Sequence, residues 1–123
     1  MDDEYYGFVL SGRRQIDGLT CLDAEHLIPL KVRAWLELTV RETRGEKIDG
    51  KDIRKHKNDV FRLYQIITPL ADPPPAQVQA DISEFIARVR REGVDLKQLK
   101  IKGTLEEILK GLRRAYRLVS PPA

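Results

Sequence analysis

Residues 27–38 read LIPLKVRAWLEL, and this stretch decides the fold because its apolar side chains recur at the spacing of an α-helix. The apolar positions are Leu27, Leu30, Ala34, Trp35 and Leu38. Asp23 is the predicted N-cap and Gly45 the predicted stop, which gives a helix over residues 24–43. Pro29 is compatible with this helix, since it lies near the first turn, where little backbone hydrogen bonding is lost.

A second amphipathic helix is predicted over residues 51–68. Its apolar stripe consists of Ile53, Val60, Leu63, Tyr64 and Ile67. The helix follows a polar loop with two glycines, residues 44–51, and either Asp49 or Lys51-Asp52 opens it. Thr68-Pro69 ends it, because the residue before a proline is disfavoured in helical conformation.

The chain beyond residue 69 is predicted to form a proline-rich connector, residues 70–75, and C-terminal helices within residues 76–123. The third helix has a stripe of five apolar residues and ends at Gly93. The stripe consists of Val78, Ile82, Phe85, Ile86 and Val89. Thr104 with Glu107 forms a capping box, which predicts a fourth helix over residues 105–118.

Residues 1–22 are predicted to form a β-hairpin. Two runs of aromatic and β-branched residues flank Ser11-Gly12, and Asp17-Gly18 adds a second flexible point, either a bulge or a last turn. A lone hairpin is marginal in water, so it is expected to pack on the helices. The predicted fold class is therefore α+β: an N-terminal β-hairpin packed on a mostly helical bundle of about four helices. The chain forms a single domain over residues 1–123, and residues 23–69 are its first helix pair.

The composition is that of an ordinary globular domain. The 123 residues allow one domain, and a hydrophobic fraction of 41% supports a core. Twenty-two basic against 19 acidic residues give a net charge of +3, which does not by itself imply a nucleic-acid partner. A lone Cys21 excludes a disulfide-stapled secreted scaffold, and no apolar run approaches the roughly 20 residues of a membrane span. The expected location is the cytoplasm, with no membrane partner.

Lys31 is the unusual residue of the first helix, because at about 100° per residue it falls on the apolar stripe between Leu27 and Ala34. In one interpretation the stem packs against its neighbours and the ammonium reaches water or a carboxylate. In the other, the lysine is a charged donor at the edge of a cleft, where it holds phosphate oxygens.

The apolar stripe of the second predicted helix is bordered by residues of both charges, in the segment DIRKHKND at residues 52–59. Lys57 and His56 flank the stripe, and Asp59 lies just beyond its other edge. Such a cluster is typical of a solvated face, here with a weak pair between Lys55 and Asp59. His56 faces inward, as a satisfied core or interface histidine does. The sequence contains no zinc spacing, phosphate loop or dinucleotide glycine turn, so no metal ligand is assigned.

The order of these residues, LIPLKVRAWLEL and then KDIRKHKNDVFRL, resembles the C-terminal half of bacterial nucleotidyltransferase-like proteins related to the AbiEii toxins of abortive-infection systems. In that group a lysine inside an alanine-containing helix is followed, one loop later, by a basic residue and an aspartate on the next helix. Lys31 with Ala34 matches the first element, and Lys57 with Asp59 matches the second. The resemblance covers about residues 5–67.

The resemblance implies transfer of a nucleotidyl group from a nucleoside triphosphate. It implies that Lys31 and Lys57 bind phosphates and that Asp59 is catalytic, orienting a lysine or the attacking group. The family's first motif is a Gly-Ser turn followed by two aspartates, one residue apart, that bind Mg²⁺. That motif is not in this sequence, so the chain alone is expected to bind no cofactor and to be inactive.

The chain is therefore expected to be part of a larger nucleotidyltransferase, whose missing N-terminal half would carry the metal site. Other expected partners are RNA or a protein side chain as acceptor and a cognate antitoxin, if the protein is a toxin. The open edge of the hairpin would pair with the missing half or with a second copy, giving a homodimer. The alternative is a non-catalytic interaction module, in which the basic helix segment 51–57 binds nucleic acid or an acidic protein.

Overall fold

The computed structural model describes residues 3–118, which form five α-helices and one two-stranded antiparallel sheet. The elements are α1 (Asp3–Leu10), β1 (Arg13–Ile16), β2 (Leu19–Leu22), α2 (Ala24–Thr43), α3 (Gly50–Tyr64), α4 (Ala76–Glu92) and α5 (Leu105–Ala115). The predicted α+β class, an N-terminal hairpin followed by helices, is confirmed. The parts of the predicted segments at residues 1–2 and 119–123 lie outside the described residues.

Helix α2 lies at the centre of the fold, where it packs against α1, α3 and α4. Its observed bounds are those predicted from the sequence. Trp35 of α2 meets Phe85 of α4 edge-on, with ring centroids 5.2 Å apart, and Phe61 of α3 lies 6.1 Å from Phe85. All three rings are buried, so they join the three longest helices at the middle of the core.

Pro29 lies inside α2, and it lacks the N–H that would donate to the Glu25 carbonyl one turn earlier. Tyr116, which follows α5, supplies the missing donor: its hydroxyl donates to the Glu25 carbonyl oxygen at 2.6 Å. Tyr5 of α1 donates to the Pro29 carbonyl oxygen at 3.0 Å. Two buried hydroxyls therefore tie α1 and the end of α5 to α2, and the carbonyl freed by the proline keeps a partner.

Because these two tyrosines are buried, we expect the folded state to lose stability at alkaline pH. Burial raises the pKa of Tyr5 and of Tyr116, and the charges of Asp81 and Glu25, respectively, act in the same direction. A tyrosine whose pKa is raised in the folded state stabilises the fold. This stabilisation is complete below the pKa of the unfolded chain, about 10, and is lost as the pH rises towards the pKa of the folded state. We expect the free energy of unfolding to fall above pH ~10 by up to about 1.4 kcal/mol per pH unit and per tyrosine.

Urea denaturation at a series of pH values measures this slope, with Tyr116→Phe as the comparison. The variant lacks one titrating hydroxyl, so its alkaline slope should be shallower than that of the wild type. At neutral pH it should be less stable by about 1–3 kcal/mol, because the Glu25 carbonyl loses its donor. Identical alkaline slopes in the two proteins would show that Tyr116 is not the titrating group.

The N-terminal prediction is wrong in two respects: residues 3–10 form helix α1 and not the first strand, and the hairpin turn is Asp17-Gly18 and not Ser11-Gly12. Tyr5 and Val9 lie one helical turn apart and both are buried, so packing on the core outweighs the strand preference of the aromatic run. The hairpin begins after Ser11-Gly12, and Asp17-Gly18 joins its strands. Both turn residues have positive φ, 51° and 81°, as a two-residue type I′ turn requires.

Two helices end earlier than predicted. Helix α3 ends at Tyr64 and not at residue 68, and α5 ends at Ala115 and not at residue 118. In α5 the cause is Arg117, whose φ of 53° is left-handed and stops the helix. No helix among residues 3–118 has the length and apolar character needed to cross a membrane.

Candidate functional site

Lys31 of α2 and Asp59 of α3 meet across the helix pair, with Nζ of the lysine 3.0 Å from Oδ2 of the aspartate. Each lies on the flank of its helix that faces the other, beside fully buried Val32 and Val60. The two side chains are 25% and 20% exposed, so their stems pack while the charged ends stay within reach of solvent. Two of the three site residues expected from the sequence, one from each helix, are thus in direct contact.

Asp59 holds a second cation as well. Nη1 of Arg62, in the next turn of α3, lies 3.5 Å from Oδ1 of Asp59. The Arg62 side chain is 57% exposed, so its guanidinium keeps N–H groups free for another acceptor. One carboxylate therefore positions two cations, Lys31 and Arg62, and the group keeps a net positive charge at the protein surface. Two cations held in this way can bind the oxygens of a phosphate.

Lys57 points away from this group. It precedes Asp59 by two residues, which places their side chains about 200° apart around the helix. Its Nζ lies 3.8 Å from Oε2 of Glu92 at the end of α4. Of the three site residues predicted from the sequence, the structure therefore brings Lys31 and Asp59 together and places Lys57 against another helix.

His56 lies three residues before Asp59, on the same flank of α3. Its Nδ1 atom is buried and has no hydrogen-bond partner among the described residues. The prediction of a satisfied histidine is therefore wrong for this atom. Buried polar atoms are normally paired, so His56 Nδ1 is an exception within the part of the chain that the structure describes.

The outer face of α3 carries a separate group of basic side chains. Lys51, Arg54 and Lys55 are exposed, and none of the ion pairs found within residues 3–118 involves them. The predicted weak pair between Lys55 and Asp59 is absent there, because Asp59 contacts Lys31 and Arg62 instead. This face is free to meet an anionic surface.

Asp81 of α4 is a buried carboxylate that sequence reasoning missed. It is 4% exposed, its Oδ2 lies 3.3 Å from Nη1 of Arg33, and Nε2 of Gln77 donates to its Oδ1 at 2.8 Å. The signal was present in the sequence: Asp81 is three residues after Val78 and four before Phe85, so it falls on the apolar stripe of the third predicted helix. A charge at such a position needs a buried partner.

Asp23, Glu25 and His26 bring three ligand-type atoms within 4.8 Å of one another at the start of α2. Their carboxylates already have partners in the fold. Asp23 is paired with the guanidinium of Arg14, and Glu25 accepts a hydrogen bond from the Thr68 N–H at 3.4 Å. We therefore assign these groups to the network that holds the hairpin and the loop after α3 against α2.

The chain matches no protein-family model, and it shows no significant similarity to a curated protein or to a solved structure. The function proposed below is therefore based on the residues and on their geometry. Chemically, the group of Lys31, Asp59 and Arg62 can bind and orient an anion. It includes no nucleophile of the serine or cysteine type.

Proposed function

We propose that this chain forms the nucleotide-facing part of a nucleotidyltransferase-like protein, in which Lys31 holds phosphate oxygens of a nucleoside triphosphate. The contact of 3.0 Å between Lys31 and Asp59 carries the proposal. These are residues that the AbiEii-related group places on successive helices. An ion pair alone is common in structural roles, but this one is partly exposed and holds a second cation, Arg62.

In this proposal Lys31 and Arg62 bind phosphates, and Asp59 is a positioning residue. Transfer of a nucleotidyl group builds negative charge on the phosphate oxygens. Cations that are fixed before the reaction stabilise that charge without reorganising during it. Asp59 supplies the fixing contact, and the packed stem of Lys31 limits how far its ammonium can move.

The residues that the structure describes do not fit the two-magnesium site of such enzymes. Within residues 3–118, the one group of metal-ligating side chains close enough to share an ion is the set of Asp23, Glu25 and His26. Two of its three members are carboxylates engaged by the fold. The proposal therefore assigns phosphate binding to this chain and the metal-binding carboxylates to a segment or chain that joins it.

We also propose a cytoplasmic location and a role as a toxin component. Cys21 is exposed and unpaired, which suits a reducing compartment. Nucleoside triphosphates are abundant in the same compartment. RNA and protein side chains are the two acceptor classes that the proposal allows.

We expect Lys31→Met to weaken the binding of a nucleoside triphosphate by about 10-fold or more. Methionine keeps the apolar length of the stem, so the variant should fold, but it lacks the charged donor. Isothermal titration with ATP, CTP, GTP and UTP measures the change. Lys55→Met is the matched control, because it removes the same charge from the exposed outer face of α3. Equal weakening in both variants would contradict a specific site at Lys31.

A second candidate function rests on that outer face, where Lys51, Arg54 and Lys55 are exposed. In this alternative the chain is a non-catalytic module that binds the phosphates of a nucleic acid. It predicts binding of RNA or DNA that falls steeply with salt. Lys55→Met would then weaken binding and Lys31→Met would not, so the same two variants distinguish the two functions.

A further inference from the structure

The β1–β2 hairpin has two open strand edges, and most of its side chains are exposed. Every residue of the two strands except Leu22 is exposed, and Ile16 and Leu19 are 55% and 70% exposed. The sheet contains only these two strands within residues 3–118, so neither outer edge pairs with a strand there. Open edges with apolar side chains are templates for pairing with another strand.

The turn fixes which backbone groups face outwards. Its two residues, Asp17-Gly18, close the hairpin between Ile16 and Leu19, which form a hydrogen-bonded pair. Pairs alternate along an antiparallel ladder, so the next pair, Gln15 with Thr20, is not hydrogen-bonded internally. Thr20 therefore turns its N–H and C=O towards the free edge of β2, and Gln15 does the same on β1.

The two edges differ in charge. Strand β1 carries Arg13 and Arg14, so pairing two β1 edges would bring four arginines into one short ladder. Strand β2 reads Leu-Thr-Cys-Leu over residues 19–22 and carries no charge. Basic residues on an edge strand are a common protection against pairing, and here they protect β1 alone.

We propose that two copies of this chain pair antiparallel through their β2 edges, forming a four-stranded sheet around a twofold axis. Thr20 of one copy then exchanges backbone hydrogen bonds with Leu22 of the other. Cys21 faces Cys21 of the second copy in a pair that is not hydrogen-bonded, where Cα atoms lie about 4.5 Å apart. Ile16 and Leu19 lie on the same face as Cys21, so the apolar side chains of the two copies become neighbours.

This interaction is independent of the nucleotide site. The contact involves one short strand per copy, so we expect a weak dimer. Oxidised glutathione should trap the dimer by thiol–disulfide exchange, because the expected Cα separation suits a disulfide between the two Cys21 residues and the reagent leaves as two glutathione thiols.

Two proline variants test the proposal by sedimentation equilibrium of the reduced chain at about 10 μM to 1 mM, a range that brackets the expected weak association. Thr20→Pro removes one of the two outward N–H groups of β2, and Gln15→Pro removes one of the two of β1. Neither N–H is used within the hairpin, so both variants should keep it, as circular dichroism can check. We expect the wild type and Gln15→Pro to dimerise equally and Thr20→Pro to weaken the dimer at least 10-fold.

Cys21→Lys provides a second variant that does not depend on proline. Residue 21 is exposed and lies opposite Arg14, whose charge is paired with Asp23, so circular dichroism checks that the hairpin is kept. In a dimer the two ammonium groups would face each other. Dimerisation should weaken at least 10-fold at low salt and recover at high salt. A wild-type chain that stays monomeric to 1 mM overturns the proposal, as does a dimer that persists in Thr20→Pro or is lost in Gln15→Pro.

Discussion

Phe85→Ala is expected to lower the free energy of unfolding by about 3–5 kcal/mol. The Phe85 ring is fully buried, and it contacts Trp35 edge-on and lies beside Phe61. Its removal opens a cavity where α2, α3 and α4 meet, and it also removes the aromatic pair interactions. A small domain is stable by only about 5–15 kcal/mol, so the variant should unfold at a much lower urea concentration.

Phe85→Leu is the matched control for this prediction. Leucine keeps most of the apolar volume, so the expected loss is about 1.5 kcal/mol or less. Leucine and alanine variants of equal stability would show that the site does not require a large side chain. The three-ring junction would then not be the centre of the core.

Asp81→Ala is expected to lower the free energy of unfolding by about 2–3 kcal/mol. The substitution removes the contacts of the carboxylate with Arg33 and with Gln77 and its interaction with the Tyr5 hydroxyl. Arg33 is 35% exposed and can turn partly towards water, so the loss stays below that of a fully buried ion pair. Urea denaturation measures the change, and Asp81→Asn should be less harmful because its amide oxygen still accepts a hydrogen bond.

Glu84→Ala is the surface control for Asp81→Ala. Glu84 pairs with Arg88 in the next turn of the same helix, and its side chain is 50% exposed. Exposed pairs contribute little, so the expected loss is about 1 kcal/mol or less. If the Glu84 variant were as destabilised as the Asp81 variant, burial would not be the reason for the effect at Asp81.

The helices could be predicted where the local signals agree. In α2 the apolar period, Asp23 at the N-cap and Gly45 after the end all indicate the same element, and the observed bounds match. Pro29 removes one backbone donor from this helix, and the Glu25 carbonyl that it leaves free accepts from the hydroxyl of Tyr116, which is distant in sequence. No local signal could reveal that contact.

Helix α1 shows the opposite case. Its aromatic run has the composition of a strand, yet burial of Tyr5 and Val9 on the core selects a helix. The turn is Asp17-Gly18, a preferred type I′ pair, whereas the aromatic and β-branched runs predict it at Ser11-Gly12. Strand preference depends on what the segment packs against, and this packing could not be predicted from the local sequence.

The candidate site was predictable in part. The sequence pattern singled out Lys31 and Asp59 on separate helices, and the packing of α2 on α3 brings them into contact. Lys57 belonged to the same pattern, but its position around the helix directs it to Glu92. Arg62 was missed because its role depends on the carboxylate one turn earlier, which also accepts Lys31.

A residue-by-residue map of nucleotide binding tests the central claim most directly. Amide NMR spectra of the labelled chain, recorded during a titration with ATP, locate the bound phosphates. We predict that the shifted amides lie on both helices, around Lys31 in α2 and around Asp59 and Arg62 in α3, and that Lys31→Met abolishes the shifts. Shifts confined to residues 51–55 on the outer face of α3, with α2 unaffected, would contradict the proposed phosphate site.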